Sequence, residues 1–330
     1  MRLRPALFAV TSTAALCLAA CAGKRPAEAP PAAVQDVVST VDVDHFWEAY
    51  DAVRSTAEPA EQLARFQALY IDRGTPGLHS FMRARRYTAQ GYVDAIRSYP
   101  RFWESVRPLT ARARESAARV APTLERFRAL YPRLGAAEVY FTVGALNSSG
   151  TALDGRVLLG AELATGDDRV DVSELPPKLR VALGTYFQSR PYEGMDLLIA
   201  HEAVHTRQKV PADVLVDWVV YEGVADFVAE QVTGKLPTLA YVTYGPQHDA
   251  ELRERFREAQ DATTFAPWLW SGPDNADGVA DLGYYVGYAI ARAYHAKAPD
   301  KQAALQRMIE LDYADTAAVK TFVRESGYLP

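Results

Sequence analysis

Residues 199–208 read IAHEAVHTRQ, which sets His201 and His205 four residues apart with Glu202 directly after the first. On a helix, positions i and i+4 share one face, so both imidazoles can be offered to a single metal ion. Glu202 falls one step round the same helix. There it can lie beside an open coordination position and take a proton from a water held in it. The two histidines share their face with Leu197 and Leu198. Histidines on a core-facing stripe must be hydrogen-bonded or must bind something.

A hydrolytic zinc site takes three protein ligands and keeps a fourth position open. The segment YEGVADF, residues 221–227, supplies Glu222 and Asp226, again an i, i+4 pair. Glu222 stands 17 residues after His205, room for a turn at Pro211 and about three turns of returning helix. Val219, Val220, Val224 and Phe227 make that helix apolar on much of its circumference, so a glutamate beside Gly223 is expected to be buried. Glu222 is the candidate third ligand. Asp226 is the candidate partner for the outer nitrogen of a ligand histidine, fixing its tautomer and raising its basicity.

His201, Glu202, His205, Glu222 and Asp226 together resemble the gluzincin metallopeptidases, the thermolysin-like class. FQALYIDRGTPGLHSF, AHEAVHTRQ, EGVADFVAE and GYYVGYAIARAYH resemble a family of predicted zinc-dependent proteases related to a gliding-motility lipoprotein. That resemblance covers most of the chain after its leader. It implies a Zn2+ cofactor, a peptide or protein substrate, and a zincin-like core of a small sheet plus the active-site helix. The oxyanion of amide hydrolysis also needs a donor. Gly283, Gly287 and Ala291 form a small-residue stripe that permits close helix approach, and Tyr284 within Tyr-x-x-Gly resembles the tyrosine motif of gluzincin aminopeptidases. Tyr285, Tyr288 and His295 stand as alternatives among the chain's 18 tyrosines and six histidines.

The elements that must position these groups follow from periodicity. Residues 42–132 read as an N-terminal helical region, with Phe46, Tyr50 and Val53 on one stripe and Leu63, Phe66, Leu69 and Tyr70 on another. Residues 133–330 read as the catalytic region. AEVYFTVG and RVLLGAEL have strand character, ALNSSGTALDG between them reads as a turn-rich loop, and one of these strands is expected to provide an edge for an extended peptide. Apolar helices follow at YEGMDLLIAHEAVHTRQKV, at PADVLVDWVVYEGVADFVAEQVTG with Gly234 as C-cap, and at DLGYYVGYAIARAYHAKAP. Residues 249–260 read as a solvated helix, and a short helix near 302–311 closes the chain. Trp268 and Trp270 are expected to pack in the core rather than line a pocket. The expected class is α+β, mainly helical.

Composition agrees with a globular protein: 49% of residues are hydrophobic and 23% are charged. A net charge of −5 with no long basic run excludes nucleic acid as an expected partner. Residues 1–20 have a basic start, Arg2 and Arg4, and a short apolar core, as an export signal does. LAAC, residues 18–21, resembles the lipobox of bacterial lipoproteins, which implies lipidation of Cys21 and a lipid anchor in a bacterial membrane. Ala22, not Asp, follows that cysteine, which by the same resemblance favours the outer membrane, facing the periplasm. Residues 21–41 read as a flexible tether. The expected function is a zinc-dependent metallopeptidase of the cell envelope, its scissile amide in a protein or in peptidoglycan. The alternative is a non-proteolytic assembly or scaffold lipoprotein retaining the same fold.

Overall fold

The structure, a computed structural model, describes residues 35–272 and 275–329. The export signal, Cys21 and most of the tether lie outside the described residues. After a first short strand come six α-helices: α1 (Val41–Arg54), α2 (Pro59–Phe66), α3 (Pro76–Arg85), α4 (Ala89–Ser98), α5 (Pro100–Thr110) and α6 (Arg112–Leu130). Helices α7 (Ala161–Ala164), α8 (Pro177–Gln188), α9 (Met195–His205) and α10 (Leu215–Thr233) follow the sheet. The last are α11 (Ala240–Gln247), α12 (Asp249–Ala259), α13 (Leu282–Lys297), α14 (Lys301–Ile309) and α15 (Thr316–Ser326). The chain therefore ends on α15, one helix beyond the expected closing helix. Among the described residues, no helix is long and apolar enough to cross a membrane.

Four strands form one sheet in the order β1-β2-β4-β3, with β1 (Val37–Ser39), β2 (Glu138–Thr142), β3 (Gly150–Leu153) and β4 (Arg156–Gly160). β1 and β4 run parallel to β2, and β3 runs antiparallel to β4. The class is α+β, mainly helical, with a small mixed sheet. Two expectations are corrected here. Both strands expected to offer an edge, β2 and β4, lie inside the sheet; the edges are β1 and β3. β3 comes from the stretch read as loop. Its hairpin turn is Asp154-Gly155, with φ of 54° and 72°, the pair of left-handed residues that a two-residue turn needs. β1 lies within the stretch read as tether, and Asp36 holds it by accepting from Ala137 N at 3.0 Å and pairing with Arg128.

A continuous apolar core runs through residues of the N-terminal helices, the sheet and the C-terminal helices. Its N-terminal part is aromatic: Phe46 meets Tyr70 edge to face at 5.3 Å, and Phe66 stacks on Tyr92 at 5.1 Å. This cluster reaches the sheet through two hydroxyls, since Tyr70 and Tyr92 both donate to the Val143 carbonyl, at 2.6 and 3.1 Å. The helical region thus holds the chain just after β2, which leads to β3 and the candidate site.

Candidate metal centre

α9 carries His201, Glu202 and His205; α10 carries Glu222 and Asp226. The turn between them brings α10 back across α9. His201 Nε2 and His205 Nε2 lie 3.0 Å apart, and each is 3.3 Å from Glu222 Oε2. All three side chains are largely buried, at 13%, 7% and 9% exposure.

The hydrogen bonds fix what these atoms can do. His201 Nδ1 is 2.8 Å from Asp226 Oδ1, and an ionised carboxylate only accepts, so Nδ1–H donates. His205 Nδ1 is 2.7 Å from Gln208 Oε1. The Gln208 amide is oriented by its other end, because Nε2 donates to the Tyr221 carbonyl at 3.1 Å and to the Tyr313 hydroxyl at 3.0 Å. Oε1 must therefore accept from His205. Both outer nitrogens are donors, so both Nε2 lone pairs point to the shared centre. Three acceptor atoms then face one another with no donor between them, an arrangement that only a proton or a cation reconciles.

The dimensions fit a metal. Ligands at about 2.0–2.1 Å in tetrahedral arrangement lie roughly 3.3 Å from one another, and the observed edges are 3.0, 3.3 and 3.3 Å. The electrostatics agree. Burial alone would lower the His201 pKa, but the bonds from Asp226 and Glu222 outweigh it and hold the imidazole well above its ordinary value. Burial would raise Glu222, yet the charges of His205 and His201 and their bonds bring it well below the usual carboxylate range. The cluster favours positive charge at its centre.

Glu202 is buried, and its Oε2 has no hydrogen-bond partner among the described residues. Burial raises its pKa against the lowering effect of the two histidines. The edge strand β3 lies directly against it. A Cβ at Gly150 would fall 2.5 Å from Glu202 Oε1, so only glycine lets the strand approach this closely. The Gly150 carbonyl is held by Arg85 Nη2 of α3 at 2.9 Å.

α13 crosses α10 in backbone contact. A Cβ at Gly223 would lie 2.0 Å from the Gly287 carbonyl carbon, and one at Gly287 would lie 1.9 Å from the Val219 carbonyl oxygen. The small-residue stripe does permit close approach, and the helix it meets is the one bearing Glu222. This crossing lays Tyr284 over the site, its ring stacked on His201 at 6.3 Å. The three alternatives are engaged elsewhere. Tyr285 donates to Asp249, Tyr288 donates to Glu230, and His295 packs on Phe227.

Several positioning residues went unread in the sequence. Gln208 was within reach, three residues after His205 in the turn that follows α9. Tyr241, which donates to Asp226 Oδ2 at 2.7 Å, and Tyr313 behind Gln208 had no local signal. Trp268 is buried as expected, against Phe256 at 5.3 Å. Trp270 is not a core residue: it is 52% exposed.

The profile of a family described as "Predicted Zn-dependent protease (DUF2268)" matches residues 181–314. The match is less than half of the chain, runs from α8 to α14, and contains every residue of the cluster. Neither a curated protein nor a solved structure gives a match.

Proposed function

We propose that this chain is a zinc-dependent peptidase of gluzincin type with a zincin-like core. The observation that carries the reading is the convergence of three acceptor atoms, from His201, His205 and Glu222, beside the unpartnered buried oxygen of Glu202. A purely structural zinc site has no use for that additional carboxylate.

Zinc at this centre would supply Lewis acidity toward a water and a carbonyl oxygen. The chain's own residues do the rest. Glu202 Oε2 accepts a proton from the attacking water as the O–C bond forms, and delivers it to the amide nitrogen as the C–N bond breaks. A buried carboxylate with raised proton affinity suits both transfers. The Tyr284 hydroxyl donates to the carbonyl oxygen as negative charge develops. Asp226 and Gln208 keep both imidazoles in the ligand tautomer. β3, the antiparallel edge beside α9, pairs with an extended peptide through backbone hydrogen bonds. The same strand-and-helix arrangement supports the zincin-like assignment.

We place the protein in a bacterial envelope, anchored through a lipid on Cys21. Loss of the protein from the membrane fraction in a Cys21→Ser variant is expected; unchanged partition refutes the anchor. The activity is tested on the full chain with a mixed peptide library, with and without chelator. Glu202→Gln should bind zinc at wild-type stoichiometry and cleave nothing. A variant that retains turnover would sink the mechanism, and one that fully supports the cellular role without cleavage points to the assembly function instead.

A further inference from the structure

The two ligand histidines are flanked by aromatic rings, of which only Tyr284 has a part in the proposed chemistry. His205 stacks on Tyr221 at 4.3 Å with an interplanar angle of 11°. Tyr221 meets Trp218 edge to face at 5.5 Å, and Trp218 meets Trp270 likewise at 5.0 Å. On the other side of the cluster, Tyr284 stacks on His201. These rings border the candidate metal centre on the side of α10 and α13.

Trp270 does not behave as core. Trp270 is the only aromatic side chain among the exposed large hydrophobics of the described residues, and apolar surface of that size left in water costs free energy. Its position is nevertheless built. The backbone at Trp270 is left-handed, with φ of 51°. The flanking chain is pinned to the start of α13, where Gly283 N donates to the Trp268 carbonyl at 2.8 Å and Ser271 N donates to Asp281 Oδ1 at 3.0 Å. Its neighbour Trp218 has a buried indole Nε1 with no acceptor among the described residues. A large apolar ring held half in water beside the candidate metal centre marks a contact surface.

We propose that Trp270 and Trp218, with Tyr221 and Tyr284, form a subsite for a large apolar or aromatic side chain of the substrate, next to the scissile bond. The rings take the side chain by edge and face contacts. The proposal rests on the peptidase reading for the direction in which the peptide lies.

The test measures binding apart from turnover. The full chain carrying Glu202→Gln, loaded with zinc, is titrated by NMR with N-acetyl-L-phenylalaninamide and with N-acetyl-L-alaninamide. The phenylalanine probe is expected to bind about tenfold tighter. Trp270→Ala should bring the ratio to within about twofold of unity, since the exposed ring supplies the platform. Trp270→Phe should restore most of the preference, which separates loss of the surface from loss of the fold. Equal binding of the two probes, or a preference that Trp270→Ala leaves intact, overturns the subsite even if the wild-type protein cleaves the library. A preference that depends on Trp270, found while the wild-type protein cleaves no peptide of the library, upholds the subsite and removes the peptidase reading.

Discussion

Replacing Asp226 by Asn tests the histidine-orienting role most directly. The amide matches the carboxylate in shape, and its oxygen still accepts from His201 Nδ1–H, observed at 2.8 Å. What disappears is the negative charge that raises the basicity of His201, together with the acceptor for Tyr241 at 2.7 Å. Loss of such a partner weakens metal binding by about 10–100-fold, or about 1.4–2.7 kcal/mol. Free zinc buffered at about 100 times the wild-type Kd stabilises the wild-type fold by about 2.7 kcal/mol, whereas a 100-fold weaker site gains only about 0.4 kcal/mol. For a domain of this size, the zinc-induced rise in Tm should fall from roughly 5–10 °C to roughly 1 °C. Thermal melts at buffered zinc, with Kd from chelator competition, give both numbers. Asp226→Ala should also destabilise the zinc-free protein, because His201 Nδ1 and the Tyr241 hydroxyl would each be buried without a partner, at about 1–3 kcal/mol apiece. An Asp226→Asn protein that binds zinc within twofold of wild type would refute the reasoning.

Tyr284→Phe should lower kcat by about 10²–10³-fold with zinc affinity unchanged, while Tyr285→Phe and Tyr288→Phe change kcat by no more than about twofold; equal losses in all three would remove Tyr284 from the mechanism. Gly150→Ala drives a methyl into the space beside Glu202 Oε1, where the distance would be 2.5 Å. It should cost at least about tenfold in kcat/KM while metal analysis shows full occupancy, and normal turnover would show that β3 does not set the carboxylate. Glu162 is wholly buried and accepts from Gly144 N at 2.8 Å, and burial raises its pKa from 4.5 to about 7. The folded state thus binds the extra proton: its contribution is complete below pH 4.5 and is lost as pH rises to about 7, about 3 kcal/mol in all. Urea melts in chelator across that window should show this decline in the wild type and not in Glu162→Gln; parallel curves would exclude Glu162 as the cause.

Local spacing made part of the site legible without any structure. His201 and His205 share a face because a helix repeats every 3.6 residues. Glu222 and Asp226 share one for the same reason, and the apolar residues around them made their burial readable. The helices α9, α10 and α13 were legible from the same period, and Gly234, with φ of 70°, ends α10 as a left-handed C-cap. The hairpin at Asp154-Gly155 was also written locally, but the Ser- and Gly-rich stretch before it masked the short strand β3.

The remainder depends on how elements cross, which no window of sequence contains. Only the backbone contact of Gly223 with Gly287 decides that Tyr284, and not Tyr285 or Tyr288, lies over His201. Only the sheet order makes β3 the edge beside Glu202, and only the fold brings Tyr241 and Tyr313 behind the two histidines. Residue type and helical period determined which side chains were able to ligate a metal. The packing of α10 against α9 and α13 decided that they do converge, because the distance between groups on separate helices is set by side-chain volume at the crossing rather than by separation along the chain.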